Sequence, residues 1–384
     1  MTGYDLGIPD HVAFSAFLDD LAVLGVTPVA QGGQRYAVIA ARSNPRWWLL
    51  PIDNRRAAAA GLQMLQPVTR SARIAKTIAC GVARCGPHSL LGRRQLRLLS
   101  LPDLDGAFGN RMAHVALFTG TNGPHRKTAI QVMDAQGMIL GYAKLSRDPA
   151  VRSYIRNEAV ILRSLAGLAL ESCEIPMVLA ERDGNDLSLL VTDSLKNSDH
   201  TAPLEIKSYH LRFFQEMAIK TGQVGAAATL DRLEADISLL NVAHDWRTRL
   251  QRGLDMLRPE ACMIRIGLAH GDFTPWNTFV QSGKLYIFDW EYANPAYPLG
   301  YDLIHFRLAT LSSDAQRSAG PALIKELRSN FYNGDKAAAR RALALSLILH
   351  AVFYLRRLMA ANAPVDDWAD GPTRAAMIDD VLSL

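Results

Sequence analysis

The sequence predicts an α+β protein in which a small β lobe carrying one helix precedes a larger helical lobe, with a mixed α/β appendage at the N-terminus. Three observations predict it. Short β-branched or apolar runs separated by turn residues are concentrated between about 113 and 192. From 205 onward apolar residues recur at helical spacing, as in Leu230, Leu233, Ile237 and Leu240. Ahead of both, helix-like and strand-like stretches are interspersed. The expected division is an accessory segment at 1–105, a β lobe at 106–194 and a helical lobe at 195–384.

Composition narrows the class. With 384 residues and 49% hydrophobic content, the chain can bury a sizeable core. The longest uncharged apolar run, Ala342 to Leu355, is shorter than a bilayer span and suits a buried helix, and the first residues lack the basic and apolar regions of a secretory signal. Cys80, Cys85, Cys173 and Cys262 make neither a C-x-x-C pair nor a zinc spacing, so they read as free thiols in the cytoplasm. The net charge of +5 is modest but unevenly placed, since nine Lys or Arg and no acid lie between Arg55 and Arg97. That stretch fits a solvated helix face, arginines packed against acidic groups elsewhere in the fold, or an anionic partner, for which a membrane surface or phosphorylated glycan intermediate is expected ahead of nucleic acid.

In chain order, a helix is expected over Val12 to Leu24, then strands at Arg35 to Ala41 and Trp47 to Ile52 separated by Ser43-Asn44-Pro45. Helices follow over Arg55 to Leu65, stopped by Pro67, and Thr69 to Cys85, where Ile74, Ile78 and Val82 mark an apolar stripe. Strands at Ala113 to Thr119 and Lys127 to Met133 flank a loop containing Gly120 and Gly123; a third, Met138 to Leu145, carries Lys144 near its end. Asp148-Pro149 then caps a helix whose apolar face contains Glu158. A carboxylate on that face needs a cation, and Lys144 is the natural partner. Two more strands, Pro176 to Glu181 and Leu187 to Thr192, lead into Val191 to Ser194.

The chemistry is concentrated between Leu268 and Glu291. Asn277 follows Asp272 by five residues, and Asp289 follows Asn277 by twelve, at the end of the strand Leu285 to Phe288. This spacing suits phosphoryl transfer: one carboxylate meets the attacking hydroxyl while an amide oxygen and a second carboxylate hold a hard cation against phosphates. The run His270-Gly271-Asp272-Phe273-Thr274-Pro275-Trp276-Asn277, with Asp289-Trp290-Glu291, resembles the catalytic loop and metal strand of the aminoglycoside phosphotransferase and choline kinase family. Pro298-Leu299-Gly300-Tyr301-Asp302-Leu303 resembles a further element of that family.

The resemblance implies a two-lobed protein-kinase-like fold and an ATP- and Mg²⁺-dependent phosphotransferase acting on a small-molecule hydroxyl. By the same resemblance, Asp272 would align the hydroxyl proton, and Asn277 and Asp289 would hold Mg²⁺. Lys144, Glu158, Gly120 and Gly123 would position the phosphates, Val191 and Ser194 would meet adenine, and His270 and Asp302 would brace the loop. After Asp302 there are ten Lys or Arg against eight Asp or Glu, which favours a sugar, amino alcohol or glycan precursor over a polycationic aminoglycoside. The acidic cluster Asp366, Asp367 and Asp370 is the exception to that balance. The alternative class is a nucleotide-binding pseudokinase-type regulator or scaffold, against which the intact Lys144, Asp272, Asn277 and Asp289 argue. The short interval from Asp289 to Pro298 leaves no activation segment of the protein-kinase kind.

Overall fold

The computed structural model describes residues 8–41, 45–65, 70–86, 94–121, 123–184, 186–196, 202–281 and 283–383. The turn residues Ser43, Asn44, Pro67, Pro87, Asn122 and Asn185, and Arg93 of the basic run, lie outside the described residues. Two compact units are present: Met1–Ala166 with Ile175–His200, and Gly167–Glu174 with Thr201–Leu384.

In chain order the first unit contains α1 (Val12–Val23), β1 (Gln34–Ala40), β2 (Trp47–Pro51), α2 (Arg55–Gly61), α3 (Arg70–Cys85), β3 (Arg94–Leu98), β4 (His114–Phe118), β5 (Thr128–Met133), β6 (Ile139–Ser146) and α4 (Pro149–Ala166). After β7 (Cys173–Glu174), which belongs to the second unit, come β8 (Val178–Asp183) and β9 (Ser188–Asp193). The eight strands form one sheet in the order β3-β1-β2-β4-β5-β6-β9-β8. Residues 1–105, expected as an appendage, therefore extend the sheet of the β lobe: β2 pairs antiparallel with β4, Trp48 opposite Phe118 and Leu49 opposite Leu117.

The reason lies in β2 itself. All five of its residues are buried, so it needs a partner on each face and on each edge. On one face Leu49 joins Phe14, Phe17 and Leu21 of α1 with Val115, Ile130 and Val191; on the other Leu50 joins Ala57, Ala58 and Leu62 with Ala37, Ala116 and Met133. The strand β3 escapes a sequence reading because two of its five residues are arginine. The α3 stripe is corrected in part: Ile74 and Ile78 are each 62% exposed, whereas Val82 packs inward together with Ala79, Cys80 and Ala83. Small side chains let α3 lie close on α2, and Lys76 then reaches back to the Leu65 carbonyl at 2.8 Å.

Loop geometry in this unit depends on a buried carboxylate that no motif announced. Asp20 of α1 accepts from Thr128 Oγ1 at 2.7 Å and from Arg126 at 3.1 Å, and Arg126 also donates to the Thr119 carbonyl. These bonds tie α1 to the β4–β5 loop. Burial pushes the Asp20 carboxyl up, opposed by Thr128 and Arg126.

The second unit is helical around two small sheets. It contains α5 (Ser208–Thr221), β10 (Gln223–Val224), α6 (Ala227–Ser238), α7 (His244–Leu257), β11 (Arg265–Ala269), β12 (Thr278–Gln281), β13 (Lys284–Ile287) and β14 (Asn294–Pro298). Then follow α8 (Tyr301–Thr310), α9 (Ser313–Arg317), α10 (Gly320–Asn330), α11 (Lys336–Ala360) and α12 (Gly371–Ser383). The sheets run β10-β11-β14 and β12-β13-β7. The four leucine and isoleucine positions picked out of the 205–259 region are all buried. The apolar run at Ala342 to Leu355 is the middle of a longer helix, α11, which is long and apolar enough to cross a membrane by length and composition; 56% of that stretch is buried within the fold. Its inward residues, among them Leu343, Leu347 and Ile348, pack toward α7, α8, α10 and α12.

Asp20→Ala should destabilise the first unit by about 2–4 kcal/mol, because it strands Arg126 and Thr128 without their buried acceptor. Urea denaturation followed by tryptophan fluorescence measures it, and a loss within error of zero would remove Asp20 from the framework.

Candidate active site

The segment His270–Asn277 is built on the end of β11. Its last residue, Ala269, hands the chain to His270, whose N–H donates to Asp302 Oδ2 at 2.8 Å, while the Gly271 N–H donates to Asp302 Oδ1 at 3.1 Å. Asp302 stands in the first turn of α8, so one carboxylate fixes two successive peptide groups. Burial pushes its carboxyl up, and the N–H bonds from His270 and Gly271 oppose that rise. Gly271 adopts φ +83, and a Cβ there would fall 2.3 Å from the Tyr292 carbonyl oxygen, so both the backbone conformation and the space demand glycine.

His270 is a brace by its hydrogen bonds. Its Nδ1 accepts from the Asp272 N–H at 3.2 Å, which places the proton on Nε2, and Nε2 donates to the Phe288 carbonyl at 2.9 Å. The ring is fully buried and lies 4.7 Å from the indole of Trp290. His270 thereby connects the loop to the end of β13.

Asp272 is held through both oxygens. Asn277 Nδ2 donates to its Oδ2 at 2.8 Å and to its carbonyl at 2.9 Å; His305 Nε2 bonds its Oδ1 at 3.0 Å. Since the Asn277 amide nitrogen is committed to Asp272, its Oδ1 is the atom left to meet a cation. The Phe288 N–H donates to the Asn277 carbonyl at 3.1 Å, which sets Asn277 beside the chain entering Asp289. Asp289 itself adopts φ 71, ψ 53, the left-handed region, and such strain in a non-glycine residue is characteristic of functional positions. All the donors are oxygens, as a hard cation such as Mg²⁺ requires.

Above Asp272 lies a cavity of about 240 Å³ lined by Trp276, Tyr292, Tyr297, Tyr301, His350, Phe353, Tyr354 and Arg357, together with Gly271 and His305. Tyr297 and Tyr301 stack at 4.1 Å, and the Arg357 guanidinium covers the rings of Phe353 and Tyr354. Among the described residues Asp272 is its only carboxylate; Asp366, Asp367 and Asp370 do not line it. None of this wall was read from the sequence. His305 could have been, since it lies three residues after Asp302 and shares a helix face with it. His350 and Arg357, seven residues apart on α11, were hidden in what reads as a core run.

In the first unit, Lys144 Nζ lies 2.5 and 2.6 Å from the two oxygens of Glu158, which is 2% exposed on α4. Gly120 and Gly123 both take positive φ in the β4–β5 loop, and a Cβ on Gly120 would meet the Lys127 carbonyl at 2.3 Å. Val191 departs from its expected place at an open hinge. It lies inside the sheet, opposite Ala143 on one side and Ala180 on the other, with its side chain in the α1 core. The ladder ends at Asp193, so open backbone starts at Ser194, whose Oγ accepts from the Lys196 N–H at 3.1 Å.

Residues 213–342 match the model of the phosphotransferase enzyme family. No curated protein matches the chain. Among solved structures it is similar to the GDP complex of aminoglycoside 2'-phosphotransferase-IIIa, with 14% identity, coverage of 71% of this chain and 93% of the other, and a TM-score of 0.46. It is also similar to the macrolide 2'-phosphotransferase MphH from Brachybacterium faecium, at 16% identity, 67% and 89% coverage and a TM-score of 0.41. Spectinomycin phosphotransferase with ADP and spectinomycin gives 10% identity, 71% and 94% coverage and a TM-score of 0.41. The matched stretch includes both His270–Asn277 and Asp289–Glu291, the segments on which the resemblance rests; the first unit has the make-up of a small β lobe and the second that of a larger helical lobe.

Gly271→Ala should reduce any turnover at this site by about a hundredfold or more, since a shift of the order of 1 Å in the loop misplaces Asp272; steady-state kinetics on a folded variant would show it, and retained turnover would refute the loop geometry. Acid should also loosen the site. His210 packs 5.3 Å from Phe306 and 6.0 Å from Phe273, and burial, then Lys207, push it down to about 4. Its folded value is below its unfolded one, so the unfolded chain binds more protons and stability is lost as pH falls from about 6.5 toward 4. Thermal melts across that window should show a falling midpoint, with a weaker fall in His210→Gln; identical pH profiles would remove His210 as a cause.

Proposed function

We propose that this chain, whose residues 213–342 carry the phosphotransferase family pattern, transfers the γ-phosphoryl group of ATP to a hydroxyl of a small molecule. The observation that supports it most is the placement of Asp272: its two oxygens are oriented by His305 and Asn277, and it opens onto a cavity of about 240 Å³ that can seat an acceptor. Asp272 takes or aligns the proton of the attacking hydroxyl. Asn277 Oδ1 and the Asp289 carboxylate would hold Mg²⁺, which when bound neutralises charge on the transferring phosphate. Lys144, oriented by Glu158, aligns the nucleotide phosphates, with the backbone around Gly120 and Gly123 close to them and Ser194 beside the base. Catalysis of this kind is mostly positioning and charge neutralisation and requires no covalent nucleophile.

The cavity lining narrows the acceptor. A polycationic aminoglycoside would meet one carboxylate and the guanidinium of Arg357, an unfavourable pairing. A neutral hydroxylated ring, such as a sugar or glycan precursor, can stack on the tyrosines, and the single ammonium of an amino alcohol can be met by the rings and Asp272. Both are preferred to an aminoglycoside.

A second reading has a specific observation behind it. The Gln131 amide donates to the Ala60 carbonyl of α2 and accepts from Tyr142 Oη, and Lys196 Nζ donates to the Gln63 carbonyl. Tyr142 shares its sheet face with Lys144, so α2 and its following turn are bonded to the face and the chain segment assigned to the nucleotide. That arrangement favours a nucleotide-binding regulator of slow or no turnover.

A transfer assay with labelled ATP across a panel of sugars, amino alcohols and aminoglycosides decides between them: phosphorylated product supports the kinase, and ATP binding without product on any acceptor supports the regulator. With the acceptor in hand, Asp289→Ala should abolish Mg²⁺-dependent turnover, and Asp272→Asn should depress the rate by about a thousandfold with ATP affinity nearly intact. Full turnover in either variant would overturn its assigned role. Lys144→Met and Glu158→Ala should be strongly non-additive in ATP binding, since they act as one pair; additive losses would mean that they do not.

A further inference from the structure

Away from the groups assigned to phosphoryl transfer, the first unit holds a cavity of about 550 Å³ between α2, the C-terminal end of α3 and the β5–β6 turn. Arg55 and Arg56 line it from α2, Arg84 from α3, and Lys196 from the segment after β9; among the described residues no carboxylate lines it. Arg55, Arg56 and Arg84 make no ion pair among the described residues. Other arginines of the first unit do have carboxylate partners, as Arg35 has Asp53, Arg126 has Asp20, Arg163 has Glu181 and Arg182 has Asp105.

Two glycines shape the wall. A Cβ on Gly86 would fall 2.7 Å from Arg55 Nε, so the side chain of Arg55 lies across the end of α3. A Cβ on Gly137 would fall 2.7 Å from the Arg56 backbone, so the β5–β6 turn is seated directly on α2. Both glycines have positive φ, which favours glycine independently of the close approach. Lys196 is 8% exposed and donates to the Gln63 carbonyl at 3.1 Å; burial, then the charge of Lys76, push it down to about 7. The remaining wall includes the apolar side chains of Ala59 and Met138.

We propose that this cavity binds a phosphomonoester with a small apolar body. Guanidinium forks match phosphate oxygens two at a time, and several converging cations suit a dianion better than a single carboxylate. The volume falls within the range of about 300–1,000 Å³ that holds organic ligands, and Ala59 and Met138 give the carbon body a surface to cover. The basic run between Arg55 and Arg97 thus acquires a compact ligand site in addition to its solvated charges. A phosphate seated beside Lys196 also favours its ammonium form, so binding near neutral pH draws a proton from solution.

Isothermal titration of the full chain with phenyl phosphate at low salt tests this, with phenol as the uncharged control and vesicles containing phosphatidate as the lipid form of the same headgroup. Saturable binding of one phenyl phosphate per chain is expected, with no binding of phenol and proton uptake seen as a dependence on buffer ionisation enthalpy. Arg56→Gln with Arg84→Gln should weaken binding by about tenfold or more. These side chains are exposed, so the variant is expected to fold, and circular dichroism checks that it does. Lys144→Met should leave the affinity unchanged, which separates this site from the proposed nucleotide site. Absence of saturable binding, equal affinity in the double variant, equal loss in Lys144→Met, or binding confined to phosphatidate vesicles would each overturn the proposal.

Discussion

The grip of Asp302 on the peptide N–H groups of His270 and Gly271 is the constraint on which the rest of the candidate site depends. With those two peptides fixed, Gly271 must turn left-handed, and the His270 ring falls between the Asp272 N–H and the Phe288 carbonyl. That ring joins the loop to the chain just past β13, one residue before Asp289, so the carboxylate facing the cavity and the one suited to a metal are set by the same brace. Burying Asp302 costs solvation, which is why its carboxyl is pushed up, and the two N–H donors offset that cost. The helix α8 serves twice, bringing Asp302 to the backbone and His305 to the Asp272 side chain.

In the β lobe the organising constraint is an edge. A five-stranded sheet ending at β4 would leave an open ladder, a surface that invites unwanted pairing. Here β2 covers it and β1 and β3 carry the sheet outward, so residues 1–105 supply structure to the lobe that holds Lys144. The helices α1 and α2 then cover opposite faces of the extended sheet. Because α2 is on the face of Lys144, the extension is placed to influence whatever binds there.

Much of this was legible in the sequence, and for identifiable reasons. Strands β4, β5, β6, β8 and β9 are short β-branched or apolar runs set off by turn residues, and helix α4 announces itself through Asp148-Pro149 and its stripe, which put Glu158 inward toward Lys144. The spacing of Asp272, Asn277 and Asp289 survives translation into geometry because hydrogen bonds local in sequence connect the first two. What was not legible depends on contacts distant in sequence. The apolar stripe of Ile74 and Ile78 faces solvent because α3 packs through its alanines, a choice made by the shape of α2 and not by hydropathy. Likewise His350 and Arg357 approach Asp272 only because α11 crosses the unit there, and nothing local in an apolar helix announces a cavity wall.

The most direct measurement is made on Asp302→Asn, which keeps the shape of the side chain and removes its charge. Hydrogen exchange at the His270 and Gly271 amides should accelerate by about a hundredfold, and phosphoryl transfer should fall with it while amides in α7 and α11 keep their protection. Full transfer activity, or unchanged exchange at those two amides, would show that the loop is held by something other than Asp302.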